Sequence, residues 1–158
     1  MNVSEHRPCP VFRSSRIVGS CLIAILSLLL QGAGCGSNLP KTIPVKGRVS
    51  VNGKSPPGPG IVYFLPLKAA EGFPSRPGSG DFGADGTYSA TTFEPNDGLM
   101  PGTYSIHLEC WETPPNMEGK PVKSFIPDKY QDTATSGFQL EITTATRSKS
   151  LDFELTTH

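Results

Sequence analysis

The stretch TIPVKGRVSVNG, residues 42–53, decides the fold. Ile43, Val45, Gly47, Val49 and Val51 fall on one side of a two-residue period, and Lys46, Arg48 and Ser50 fall on the other. That alternation predicts a half-buried β-strand, because successive side chains of an extended chain point to opposite faces. Asn52-Gly53 ends it, a pair suited to the positive φ angles of a tight turn.

The same signals recur downstream. GIVYFLP (60–66) is a continuous apolar run and reads as an interior strand. SGDFGADGTYSATTF (79–93) reads as two short strands around a turn at Ala84-Asp85-Gly86. In PGTYSIHLECWE (101–112), Tyr104, Ile106, Leu108 and Cys110 share one face, and Ser105, His107, Glu109 and Trp111 the other. A loop is expected from Thr113 to about Ser136, then strands in FQLEIT (138–143) and SLDFEL (150–155). Seven short strands, no amphipathic helix and a chain holding 17 glycines and 16 prolines predict an all-β fold. The expected architecture is a single antiparallel Greek-key β-sandwich over residues 42–158. A short repeat, Gly86-Thr-Tyr-Ser and Gly102-Thr-Tyr-Ser, places a tyrosine early in two strands. Each ring is expected in the core, with its hydroxyl bonded to nearby backbone.

Residues 1–34 have a different character. Arg7, Arg13 and Arg16 precede IVGSCLIAILSLLL (17–30), whose 14 residues fall short of the roughly 20 needed to span a bilayer as a helix. Basic residues, a short apolar core and then small residues form the pattern of an export signal. Gly32-Ala33-Gly34-Cys35 resembles the lipobox of bacterial lipoproteins, in which the cysteine receives diacylglycerol and becomes the first mature residue. Gly32 stands where that family usually has leucine, so cleavage without lipidation is the rival reading. Cys21 also follows small residues but has no apolar core ahead of it. The expectation is a signal peptide over 1–34, a lipidated tether over 35–41 and a localisation in the cell envelope, at the periplasmic face or outer membrane.

Cysteine usage fits this division. Cys9 and Cys21 would leave with the leader and Cys35 would be acylated, making Cys110 the free thiol of the mature chain. Without lipidation, Cys35 could instead pair with Cys110. Net charge is zero over the whole chain, with 14 basic and 14 acidic residues and no basic run. Nucleic acid is therefore not an expected partner. From Cys35 onward 11 basic and 13 acidic residues remain, so membrane attachment would rest on the lipid and not on charge.

Candidate chemistry is sparse. His107 and Glu109 share the outer face of their strand, with no serine or cysteine in a nucleophile motif beside them. Cys110 is expected to be a small core residue. Asp81 and Asp85 flank DFGADG without the alternating oxygen ligands of a calcium loop, so no metal and no cofactor are expected. Trp111, on the outward parity ahead of the long loop, is a candidate for stacking on a sugar or a partner, unless the loop folds back over it. His107, Trp111 and Tyr130 make up the candidate binding surface, although Tyr130 in IPDKY also reads as a packing or corner residue.

The ordered set VKGRVSVNGKSPPGPGIVYFLP, ADGTYS, PGTYSIHL, IPDKYQDTATSGFQLEI and LDFEL resembles the small transthyretin-like lipoproteins of bacteria, described as carboxypeptidase-regulatory-like domain proteins. The resemblance covers most of residues 42–155 and implies a prealbumin-type β-sandwich on a lipid anchor, with no established chemistry. The hydroxyisourate hydrolases related to transthyretin end in Tyr-Arg-Gly-Ser, whereas this sequence reads FELTTH there. An isopeptide between Lys46 and Asp152, of the pilin type, is disfavoured because both fall on polar faces. The expectation is a non-enzymatic envelope module, structural or adhesive, binding polysaccharide or an envelope protein. An accessory subunit of a transporter or secreted enzyme is the alternative.

Overall fold

In the computed structural model, residues 39–113, 117, 118, 121 and 123–157 are described. The expected signal peptide, Cys9, Cys21, Cys35 and the start of the tether lie outside these residues. Among the described residues ten strands form, in chain order β1 (Val45–Val51), β2 (Gly60–Ala69), β3 (Gly78–Phe82), β4 (Thr87–Ser89), β5 (Gly102–Glu109), β6 (Trp111–Thr113), β7 (Lys123–Ser124), β8 (Phe138–Ile142), β9 (Lys149–Ser150) and β10 (Phe153–Leu155). A 3-10 turn covers Asp128–Tyr130. The fold is all-β, as the alternation predicts.

The expectation that all strands pair antiparallel is corrected. The main sheet is continuous and mixed, in the order β10-β1-β4-β3-β2-β5-β8, with β9 also on β1. Its pairs are antiparallel except at β1, which pairs parallel with β9 (Val45 opposite Lys149) and with β10 (Val49 opposite Phe153). A two-residue period fixes which face a side chain takes but carries no information on which strand lies beside it. β6, which begins at the end of the strand expected over 101–112, pairs with β7 in a separate two-stranded ladder, and β7 lies within the region expected to be loop.

The faces themselves match the pattern. Val45, Val49 and Val51 of β1 and Tyr104, Ile106 and Leu108 of β5 are buried, as is Cys110 just beyond. Asn52 and Gly53 take φ of 50° and 72°, and Val51 and Lys54 exchange backbone hydrogen bonds of 2.8 and 3.1 Å. The turn does not lead into a hairpin with the next strand, because β2 joins β3 and β5 instead. The run in β2 is interior by position in the sheet but buried on one face only. Val62 and Phe64 are fully buried, Ile61 and Tyr63 are half-buried, and Leu65 is 38% exposed.

Both repeat tyrosines bury their rings and bond backbone. The Tyr104 hydroxyl donates to the Met100 carbonyl at 2.8 Å, and the Tyr88 hydroxyl donates to the Leu151 carbonyl at 2.7 Å. The second bond interrupts the strand expected over SLDFEL. Leu151 turns its carbonyl to Tyr88, Asp152 accepts the Arg48 N–H at 2.8 Å, and the segment divides into β9 and β10. The same bond to Arg48 occupies Asp152 on the polar side, where the sequence placed it.

The end strands β8 and β10 meet through side chains. Phe138 of β8 packs edge-on against Phe153 of β10 at 5.0 Å between centroids, and Tyr130 stacks on Phe138 at 5.7 Å. The Tyr130 hydroxyl accepts the Thr156 N–H at 3.1 Å. The 3-10 turn thus covers the seam where the curled sheet nearly closes.

Candidate functional site

Strand pairing assembles a patch on the outer face of β3, β2 and β5. Opposite residues of neighbouring strands lie side by side, so Asp81, Ile61 and Glu109 form one row, and Ser79, Tyr63 and His107 the next. Tyr63 and His107 stack, with ring centroids 4.7 Å apart and planes 15° from parallel. Glu109 accepts a hydrogen bond from Trp111 Nε1 at 3.2 Å, and its carboxylate also acts on the Tyr63 hydroxyl, whose pKa it helps to raise. The carboxylate, the imidazole and two aromatic rings thus form one strip, half-buried throughout.

Burial sets the protonation of this strip. It pushes the His107 imidazole below its ordinary value, against the opposing pull of the Glu109 and Asp132 carboxylates. His107 Nδ1 is buried without a hydrogen-bond partner in the described structure. Burial, then the neighbouring Glu109 and Asp81 charges, push the Tyr63 hydroxyl up, so it remains a neutral donor. On its side away from His107, Tyr63 borders a surface groove of about 270 Å³ whose other walls are Pro77, Gly78, Ser79, Thr91 and Thr92. That is less than the roughly 300–1,000 Å³ of pockets that engulf a small molecule, and suits a chain lying across the surface.

Of the residues singled out in sequence, His107 and Trp111 come together through Glu109, whereas Tyr130 sits apart in the buried seam. His107 lies on the outer face, as its parity predicts, and is half-buried because Tyr63 stacks against its ring. Trp111 is half-buried, and the loop after it does return, since β7 pairs with β6. Tyr63 was hidden in an unbroken apolar run, where nothing distinguishes an outer-face ring from a core one. Cys110 is fully buried, its Sγ 3.5 Å from the Gly58 carbonyl, and burial pushes its thiol up. A disulfide from Cys110 would have to open the core. Asp85 accepts both the Thr87 N–H and hydroxyl, at 3.1 and 2.6 Å, which holds its carboxyl below the usual value. Among the described residues, no three His, Cys, Asp or Glu side chains stand together as a metal site.

No protein-family model matches the chain, and no curated protein matches it in sequence. Among solved structures, it is similar to the dioxygenase domain of a novel dioxygenase–carbohydrate-binding protein fusion from the cellulolytic bacterium Streptomyces sp. SirexAA-E. Identity is 22%, over 78% of this chain and 84% of that one, with a TM-score of 0.35. The expectation of a chain without enzymatic activity is corrected by this finding, because the similar chain is a dioxygenase domain. At that score the likeness assigns no reaction, and enzymatic status is left unassigned.

Proposed function

We propose that the chain is an exported, lipid-anchored module of the cell envelope that binds polysaccharide on the outer face of its sheet. The observation that carries this reading is the strip Tyr63–His107–Glu109–Trp111 beside a groove lined by hydroxyls. Aromatic rings offer flat apolar surfaces to the C–H faces of sugars, and fixed carboxylates and hydroxyls accept and donate to sugar hydroxyls. The lipobox-like Gly32-Ala33-Gly34-Cys35 supplies the anchor, and the motif set supports a transthyretin-like lipoprotein of the carboxypeptidase-regulatory-like kind.

The test uses the full chain extracted in detergent, run through gels containing immobilised envelope polysaccharides. Retardation by at least one polysaccharide, weakened tenfold or more in Tyr63→Ala and in Trp111→Ala, is the expected result. Migration unchanged in every gel would overturn the reading. Intact mass of the same preparation, beside Cys35→Ala, checks the anchor. The expected chain starts at Cys35 and is heavier by acyl groups that the variant lacks.

A second reading, docking to an envelope protein as an accessory subunit, draws on the exposure of Leu65 (38%) and Leu67 (59%). It predicts one stoichiometric partner in envelope extracts, lost in Leu65→Ser/Leu67→Ser.

A further inference from the structure

A cation–ring pair lies one residue along the chain from the groove beside Tyr63. Pro77 and Thr92 line the groove, and the residues next to them in the chain, Arg76 and Phe93, stack on each other. The Arg76 guanidinium carbon lies 4.6 Å from the centre of the Phe93 ring. Among the described residues Arg76 has no ion-pair partner, although Glu94 and Asp97 occupy the same loop as Phe93. The Asp97 carboxylate is engaged instead with the N–H groups of Thr92 and Phe93, at 2.7 and 3.1 Å, and those bonds hold the loop that carries the ring.

An arginine held over an aromatic ring still has N–H donors to offer a ligand. It has also given up part of the side-chain freedom it would otherwise lose on binding. Those donors match a carboxylate in fork geometry. The opposite end of the strip has the reverse sign, with Asp81 and Glu109 flanking Tyr63, and Lys46 lies beyond Asp81 on the outer side of β1. An anionic group is therefore favoured at the Arg76 end and disfavoured at the Glu109 end.

Resting on the polysaccharide reading above, we infer that this groove is a subsite for a uronate residue of an acidic polysaccharide. The sugar ring lies against the free face of Tyr63, its hydroxyls meet Ser79, Thr91 and Thr92, and its carboxylate meets Arg76. The groove's mixed lining, with the Ser79, Thr91 and Thr92 hydroxyls set in a mainly apolar wall, and its small volume favour a sugar unit of a surface-lying chain over a deeply inserted side chain.

Titration calorimetry on the full chain in detergent, at low and at 0.3 M salt, tests the inference with four probes of similar length. These are tetragalacturonate, a neutral glucose tetramer, a glucosamine tetramer and tetraglutamate. Tetragalacturonate is expected to bind at least tenfold tighter than the other three at low salt, with that advantage shrinking at high salt. Arg76→Gln and Arg76→Lys are both expected to erase the advantage while changing affinity for the neutral tetramer less than twofold. Arg76 is exposed, and the thermal midpoint of each variant verifies that the fold is intact. Equal binding of the acidic and neutral tetramers, stronger binding of glucosamine, or equal binding of tetraglutamate would each overturn the uronate subsite. So would an advantage that survives Arg76→Gln. Saccharides that bind equally, with all binding sensitive to Tyr63→Ala, would leave the polysaccharide reading standing without the subsite. No binding of any saccharide, by the tetramers or in the gels, would bring down both.

Discussion

At the scale of single residues, two kinds of buried polar group shape this molecule. The Tyr88 and Tyr104 hydroxyls each satisfy a backbone carbonyl from inside the core. Replacing either tyrosine with phenylalanine keeps the ring and removes the donor, leaving a partly or wholly buried acceptor. The expected cost is about 1–2 kcal/mol in each case, read from urea unfolding of the full chain. Tyr88 joins segments 63 residues apart, so Tyr88→Phe should also speed amide exchange in β9 and β10, whereas Tyr104→Phe should act locally. His107 is the opposite kind, a half-buried base whose Nδ1 is buried and has no partner in the described structure. Burial depresses its folded-state pKa below the 6.5 of the free imidazole. Between those two values the unfolded chain holds more protons than the folded one, so stability rises with pH through that window. Stability should therefore be full above about pH 7 and decline as pH falls through 6.5, levelling off below the folded-state value. His107→Gln should flatten this segment of the profile. A slope unchanged in the variant would place the titrating group elsewhere.

At the scale of elements, the parallel junction of β1 with β9 and β10 depends on Gly47. A Cβ built there would lie 1.8 Å from the Leu151 carbonyl oxygen and 3.0 Å from the Tyr88 ring. Gly47→Ala should thus push Leu151 off Tyr88 and cost roughly 2–3 kcal/mol by overpacking. Gly53→Ala, with open space around it but a φ of 72°, should cost only about 1 kcal/mol. Thermal unfolding of the pair separates a close approach from a turn preference. Sequence shows the glycine but not this role, because in TIPVKGRVSV it reads as one more apolar-face position. The faces of β1 and β5 were legible from their period, as were the Asn52-Gly53 turn and the tyrosine bonds. The β1–β9 and β1–β10 pairings were not, since they join residues about a hundred positions apart that share no local signal. In the candidate site, alternation placed His107, Glu109 and Trp111 on one face. Tyr63 and the Arg76–Phe93 pair reach that surface only through registers set by the folded sheet.

At the scale of the whole molecule, the open question for a curled sheet is what becomes of its two ends. β8 and β10 end the ladder, and unpaired strand edges are templates for pairing with other chains. Here Tyr130, Phe138 and Phe153 bridge the ends, and the Tyr130 hydroxyl bonds the backbone of Thr156 just past β10. IPDKY therefore reads as a packing segment, with Tyr130 buried in the seam. Phe138→Ala should destabilise the chain by about 2–3 kcal/mol, less than the 3–5 typical of a fully buried phenylalanine because the ring is only partly covered. Its distinctive effect should be positional. Amides of β8 and β10 should lose exchange protection before those of β2, which pairs on both sides. A Phe138→Ala/Phe153→Ala cycle should return a coupling of about 0.5–1.5 kcal/mol for the edge-on pair. Uniform loss of protection across the sheet would mean that Phe138 is an ordinary core contact. Loss confined to the two end strands, with dimers appearing as concentration rises, would identify the aromatic seam as the device that keeps a nearly closed sheet monomeric.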